Sequence, residues 1–172
     1  MRYILSLLIG LITFSCTNKY LTEEKFHQEI IELHTFYQDF FYTLAEELST
    51  EDDLLNLKDA YEKRRDNDYK TIKQLKDTEI DNEISIFFKD LLQLIDVNFE
   101  HNYKEIIVLK HKEKNVEYLD LEDFSKLKRF YRDTKNFYHD KEKDFVISYF
   151  KFINRTELEP DAHLVELREA IL

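Results

Sequence analysis

The sequence predicts an all-α fold, an up-down-up-down four-helix bundle, and three observations predict it. Gly10 and Pro160 are the only glycine and the only proline in 172 residues. Hairpins and tight turns with positive φ lean on those two residue types, so their scarcity leaves long helices joined by short polar turns. Apolar residues recur at steps of three and four in four successive stretches, the repeat of one helix face. The polar breaks between the stretches are short, which favours antiparallel neighbours in one bundle over a dimerising helical hairpin or a longer coiled coil.

Before the helices stands "MRYILSLLIGLITFSCTN". Arg2 precedes an uncharged run from Tyr3 to Ile12. As a helix such a run covers about 15–18 Å, against ~30 Å of bilayer hydrocarbon, so it is too short to span. A positive start, a short apolar core and small residues after it predict a signal peptide over residues 1–15 that is absent from the mature chain. At its end, Thr13-Phe14-Ser15-Cys16 resembles the lipobox of bacterial lipoproteins, with Thr13 where that family usually has an aliphatic residue. The resemblance implies that Cys16, the one cysteine, carries a diacylglycerol thioether and becomes the new N-terminus. Two or three acyl chains, palmitate among them, would anchor the product stably. Residues 16–21 would then be a lipidated tether, reaching about 17 Å at most from Thr17 to Leu21 at ~3.4 Å per residue. Thr17 is not the aspartate that marks inner-membrane retention in enteric lipoproteins, so the expected address is the cell envelope, at the outer membrane in a Gram-negative source.

The bundle is expected over 22–153. Its first stripe is Phe26, Ile30, Leu33, Tyr37, Phe40, Leu44 and Leu48, with Thr22 as the N-cap and Glu23 and Glu24 favourably set in the first turn. "STEDD" at 49–53 breaks the pattern and starts the next helix, capped by Thr50. That helix carries Leu54, Leu57, Tyr61, Tyr69, Ile72 and Leu75, with "EKRRDND" in its middle lacking an apolar anchor. After the turn "KDTEIDNE" at 76–83, a third stripe runs without interruption through Ile84, Phe88, Leu91, Ile95, Phe99, Asn102, Ile106 and Leu109. "VEYLDLED" at 116–123 is read as a loop holding the cap Asp120. The fourth stripe follows: Phe124, Leu127, Tyr131, Thr134, Tyr138, Lys141, Phe145, Tyr149 and Phe152. Residues 154–172 form a tail in which Pro160 opens a short helix.

Charge adds one adjacency. Residues 22–48 hold seven acids and only Lys25 as a base, whereas residues 120–153 hold seven acids and eight bases. The first and fourth helices are expected side by side, partly neutralising each other.

The same composition limits chemistry. Phosphate loops, dinucleotide turns and nucleophile elbows are written with glycines that this chain lacks. A net charge of −11 opposes binding to nucleic acid or to an anionic membrane surface. Bundles host di-metal sites through Glu-x-x-His pairs, and Glu24-x-x-His27 is the one match, set at a helix start. It is read as a solvated helix terminus, so no metal, cofactor or catalytic residue is expected. "LKRFYRDTKNFY" interleaves bases with rings as single-strand binders do, yet Phe130 and Tyr131 continue the core stripe. The sequon Asn154-Arg155-Thr156 has no role in a bacterium. Tyr37, Phe41 and Tyr42 beside Phe40, and Phe87 beside Phe88, widen their stripes enough that some rings are expected either to shield a corner or to meet a partner.

Taken whole, the chain resembles small helix-rich surface lipoproteins of spirochaetes and Bacteroidota, especially a leptospiral-type group, through its lipobox, its size and the run from "LKDAYEKRR" at 57–65 to "FFKDLLQLIDVNFEHNYKEI" at 87–106. That resemblance implies a helical bundle with no known catalytic residue. The expected function is a lipid-anchored, non-enzymatic protein-interaction module, held to the membrane through Cys16. An immunity protein that neutralises a basic toxin at the envelope is the alternative, and a metal- or ligand-binding bundle comes third.

Overall fold

The computed structural model describes residues 22–46, 49–77, 82–101, 103–115 and 119–171, without the side chains of residues 77, 82 and 98–101. The expected signal peptide, the tether and Cys16 lie outside the described residues, as do Leu48, the side chain of Phe99, and Asn102. The described chain is all-helical: α1 (Glu23–Ala45), α2 (Glu51–Asp77), α3 (Asn82–His101), α4 (Tyr103–Lys114), α5 (Leu121–Ile153) and α6 (Ala162–Ile171). No strand occurs among the described residues.

Three of the helix starts follow the expected capping chemistry. Thr22 Oγ1 accepts from the Lys25 amide at 3.2 Å, and Asp120 accepts from the Asp123 amide at 2.8 Å. Thr50 and Asp53 cap each other reciprocally: the Asp53 amide donates to Thr50 Oγ1, and the Thr50 amide donates to Asp53 Oδ2 at 2.8 Å. Such caps satisfy amides that have no partner inside the helix and contribute about 1 kcal/mol each.

Among the described residues six helices stand where four were expected. The third stripe runs over α3 and α4, and Tyr103, Ile106 and Leu109 are buried in phase with what precedes them. The tail does form a helix, but it starts at Ala162 behind Asp161, whose carboxylate accepts from the Leu164 amide at 3.1 Å. Pro160 therefore stands one residue before the cap rather than at the first helical position.

Packing follows a simple order. α1 lies against α2 and α5, α2 against α3 and α4, and α5 against α3, α4 and α6. α1 and α5 run in opposite senses: Phe26 meets Phe152, His34 stacks on Phe145, and Phe41 stacks on Tyr138. So do α5 and the α3–α4 pair, where Lys151 bonds Glu83, Lys141 bonds Asp90 and Lys126 bonds Glu105. The lysines of α5 thus neutralise acids of α3 and α4. The expected neighbourhood of the first and last long helices exists, but hydrophobic and aromatic packing carries it, not the charge balance that suggested it.

One buried core contains Phe26, Ile30, Tyr37, Phe40, Phe41, Leu54, Tyr61, Phe88, Phe145, Tyr149 and Phe152 among its fully enclosed rings and aliphatics. Each such side chain contributes roughly 1.5–3 kcal/mol by leaving water. Of the extra rings, Phe41 and Phe87 are core and Tyr42 is half exposed. Phe124, expected in the core, is also half exposed, because α1 ends at the level of Lys135 and Asn136 and the start of α5 projects beyond it.

Candidate functional site

Two seams of the molecule surround a carboxylate, partly buried Asp96 and fully buried Glu142, and they do so differently. Between α2 and α3, Asp96 accepts four hydrogen bonds. Arg65 donates to both oxygens at 2.7 and 2.8 Å, Tyr61 to Oδ1 at 2.8 Å and Tyr69 to Oδ2 at 2.9 Å. Burial opposes ionisation of Asp96, but the hydrogen bonds from Arg65, Tyr61 and Tyr69 outweigh it and hold the carboxyl below its ordinary range. Burial and the hydrogen bond to Asp96 push the Tyr69 phenol up to about 12. One turn further along α2, Asp68 accepts from Tyr37 of α1 at 2.6 Å and from Arg64 at 2.7 Å. The Arg64 guanidinium also covers the Phe36 ring at 3.8 Å. These two clamps explain how "EKRRDND" remains helical without an apolar residue: its arginines and Asp68 anchor it by charge.

The α1–α5 seam holds a different set. His34, Gln38 and Tyr42 stand four residues apart and so share a row on α1. Opposite them is Glu142 of α5, only 1% exposed. Gln38 Nε2 donates to Glu142 Oε1 at 3.0 Å, and the Tyr42 hydroxyl approaches Oε2 at 3.4 Å. From α6, His163 Nε2 lies 2.7 Å from Gln38 Oε1, so the imidazole donates to the amide, which donates to the carboxylate. His34 stacks on Phe145 with centroids 4.4 Å apart, and its Nε2 lies 3.8 Å from Glu142 Oε1, beyond hydrogen-bond reach. Burial, and secondarily the charge of His163, push the His34 imidazole down to about 3, so it is neutral at pH 7. Burial likewise pushes the Glu142 carboxyl up, against the hydrogen bonds from Gln38 and Tyr42 and the lowering influence of the nearby Tyr138 and His139 side chains.

A cleft of about 250 Å³ opens beside this network between the end of α1 and the middle of α5. Phe41, Tyr42 and Tyr138 wall it, Glu142 lies in its lining, and Lys135 and His139 stand at its exposed rim. The Phe41 and Tyr138 rings stack at 4.7 Å, and Tyr42 meets Tyr138 edge-on at 5.9 Å.

Glu24 is exposed, and His27 bonds Tyr149 Oη through Nε2 at 2.8 Å. Among the described residues, no three His, Cys, Asp or Glu side chains group as a metal site. Asn154 caps the C-terminus of α5. In "LKRFYRDTKNFY", Tyr131 is buried, Phe130 is partly buried, and Lys128 and Arg132 face solvent. The Glu142 network escaped sequence reasoning because the expected polar position of the fourth stripe was Lys141. The i, i+4 row of His34, Gln38 and Tyr42 inside an apolar helix was the available signal.

No protein-family model matches the chain, and no curated protein or solved structure matches it either. No described helix is long and apolar enough to cross a membrane.

Proposed function

We propose that the chain is a lipid-anchored envelope protein, held by acyl groups on Cys16, that acts as a non-enzymatic protein-interaction module. We read its helices as an up-down-up-down bundle in which α3 and α4 together form one arm and α6 folds back over α5. The observation that supports this reading best is the contrast between the two ends of α5. Its C-terminal end packs beside the start of α1, where Phe26 meets Phe152. Its N-terminal end lies about 48 Å away at ~1.5 Å per residue and carries Leu121, 85% exposed, and Phe124, 49% exposed. Lys128 sits over the Phe124 ring at 4.8 Å, and Arg129 and Arg132 are exposed on the following turns. An exposed apolar pair with Asp120 and Glu122 beside it and bases on the following turns suits a protein partner with a partly apolar, mixed-charge contact surface.

The test combines both halves. Wild type is expected in the membrane fraction with a mass for Cys16–Leu172 plus acyl groups, and Cys16→Ala is expected to lose both. A photo-crosslinker at position 124 is expected to trap one discrete envelope protein, and one at the exposed position 73 is expected to trap none. An unmodified chain starting at Met1, or equal trapping at both positions, would overturn the reading.

A further inference from the structure

The α1–α5 cleft carries a second inference, independent of the lipid anchor. We propose that it is a binding site for a small, singly charged organic amine, with the ammonium group against Glu142 and an apolar body between Tyr42 and Tyr138. Glu142 is a carboxylate removed from water whose direct donors, the Gln38 amide and the Tyr42 hydroxyl, are neutral. The imidazole beside it, His34, stays neutral at 3.8 Å and supplies no charge. Elsewhere the same chain compensates such carboxylates internally: buried Asp68 receives Arg64 at 2.7 Å, and partly buried Asp96 receives two hydrogen bonds from Arg65. At Glu142 no arginine or lysine bonds the carboxylate among the described residues, His139 acts on it only through space, and the room beside the carboxylate is a cleft instead.

The walls fit the rest of the ligand. Aromatic faces attract cations, most strongly where water is excluded. The Tyr138 hydroxyl is buried without a hydrogen bond of good geometry and faces the same carboxylate, so an ammonium donor would give it a partner. A volume of about 250 Å³ admits one ring or a short aliphatic chain and little more. Lys135 at the rim repels a second positive charge, which selects monoamines over polyamines.

The experiment titrates the purified full chain, labelled at Tyr and Glu side chains, with phenethylammonium chloride, following Tyr42, Tyr138 and the Glu142 carboxyl by NMR. Saturable shifts at all three are expected, together with a downward move of the Glu142 titration on saturation. Phenethyl alcohol, which has the same body without the charge, and spermidine are each expected to bind at least about tenfold more weakly. Glu142→Gln is expected to weaken amine binding by about ten- to a hundredfold. Tyr42→Leu, at a half-exposed position that leaves folding intact, is expected to weaken it several-fold. Equal binding of amine and alcohol would make the cleft merely apolar and overturn the proposal. Absence of saturable shifts in folded wild type would overturn it as well.

Discussion

The α2–α3 seam and the α1–α5 seam make an informative pair, since each surrounds a carboxylate with tyrosines, Asp96 partly buried and Glu142 fully enclosed. At Asp96 a guanidinium joins two phenols, and the carboxyl is held below its ordinary range. At Glu142 the direct donors are neutral, His139 adds only a through-space influence, and burial wins. The direction in which each carboxyl moves follows both its depth of burial and whether the side chains that exclude water also bring a positive charge. The first seam is a closed clamp, whereas the second keeps an unbalanced group beside an open cleft.

Acid is expected to break this comparison most visibly. His34 has its imidazole pushed down from 6.5 to about 3 in the fold, so the neutral form is favoured. The stability it contributes is present above pH 6.5 and is lost as pH falls toward 3, by a few kcal/mol in total. Asp96 loses its contribution only lower, as pH falls below its ordinary 3.8. Glu142 works in the opposite sense: its raised carboxyl favours the fold below its ordinary 4.5 and loses that contribution as pH rises through the folded value. Denaturant titrations at several pH values are expected to show His34→Leu flattening the loss between pH 6.5 and 4. Glu142→Gln should steepen the same window, because the offsetting group is gone.

Next in size is Asp96→Ala, which strands Arg65, Tyr61 and Tyr69. A cost of about 2–3 kcal/mol in urea unfolding is expected, below that of a fully buried pair because Arg65 reaches solvent. The smallest effect is expected from Glu142→Gln at pH 7. It removes a charge that burial already disfavours and keeps the volume, so the midpoint should move by less than about 1 kcal/mol, toward greater stability. A large loss there would mean that the α1–α5 seam is a clamp after all.

The helical class was legible because glycine and proline are nearly missing, and the helix starts because Thr22, Thr50 and Asp120 supply caps whose chemistry is local. What periodicity could not reveal was that the third stripe runs over two helices, α3 and α4, since Tyr103 and Ile106 continue its apolar phase. Nor did it expose the start of α5: Phe124 is in phase with a core that has already lost α1 at that level. The charge balance between the first and last long helices named a true neighbour for a reason that does not hold, since net charges over whole helices say nothing about which face carries them. The α5 lysines point to Glu83, Asp90 and Glu105 instead. The Glu142 network lay hidden because it is assembled from α1, α5 and α6, three elements distant in sequence, with only the row His34, Gln38, Tyr42 to hint at it.

The most direct test of the account is a side-chain carboxyl titration by NMR, following Asp96 and Glu142 in the same folded sample without added amine. The account predicts that they part in opposite directions, Asp96 titrating below 3.8 and Glu142 above 4.5. A Glu142 that titrates at or below 4.5 would show that its charge is already compensated inside the fold. The contrast between the seams, and the cleft's claim on a cation, would then both fall.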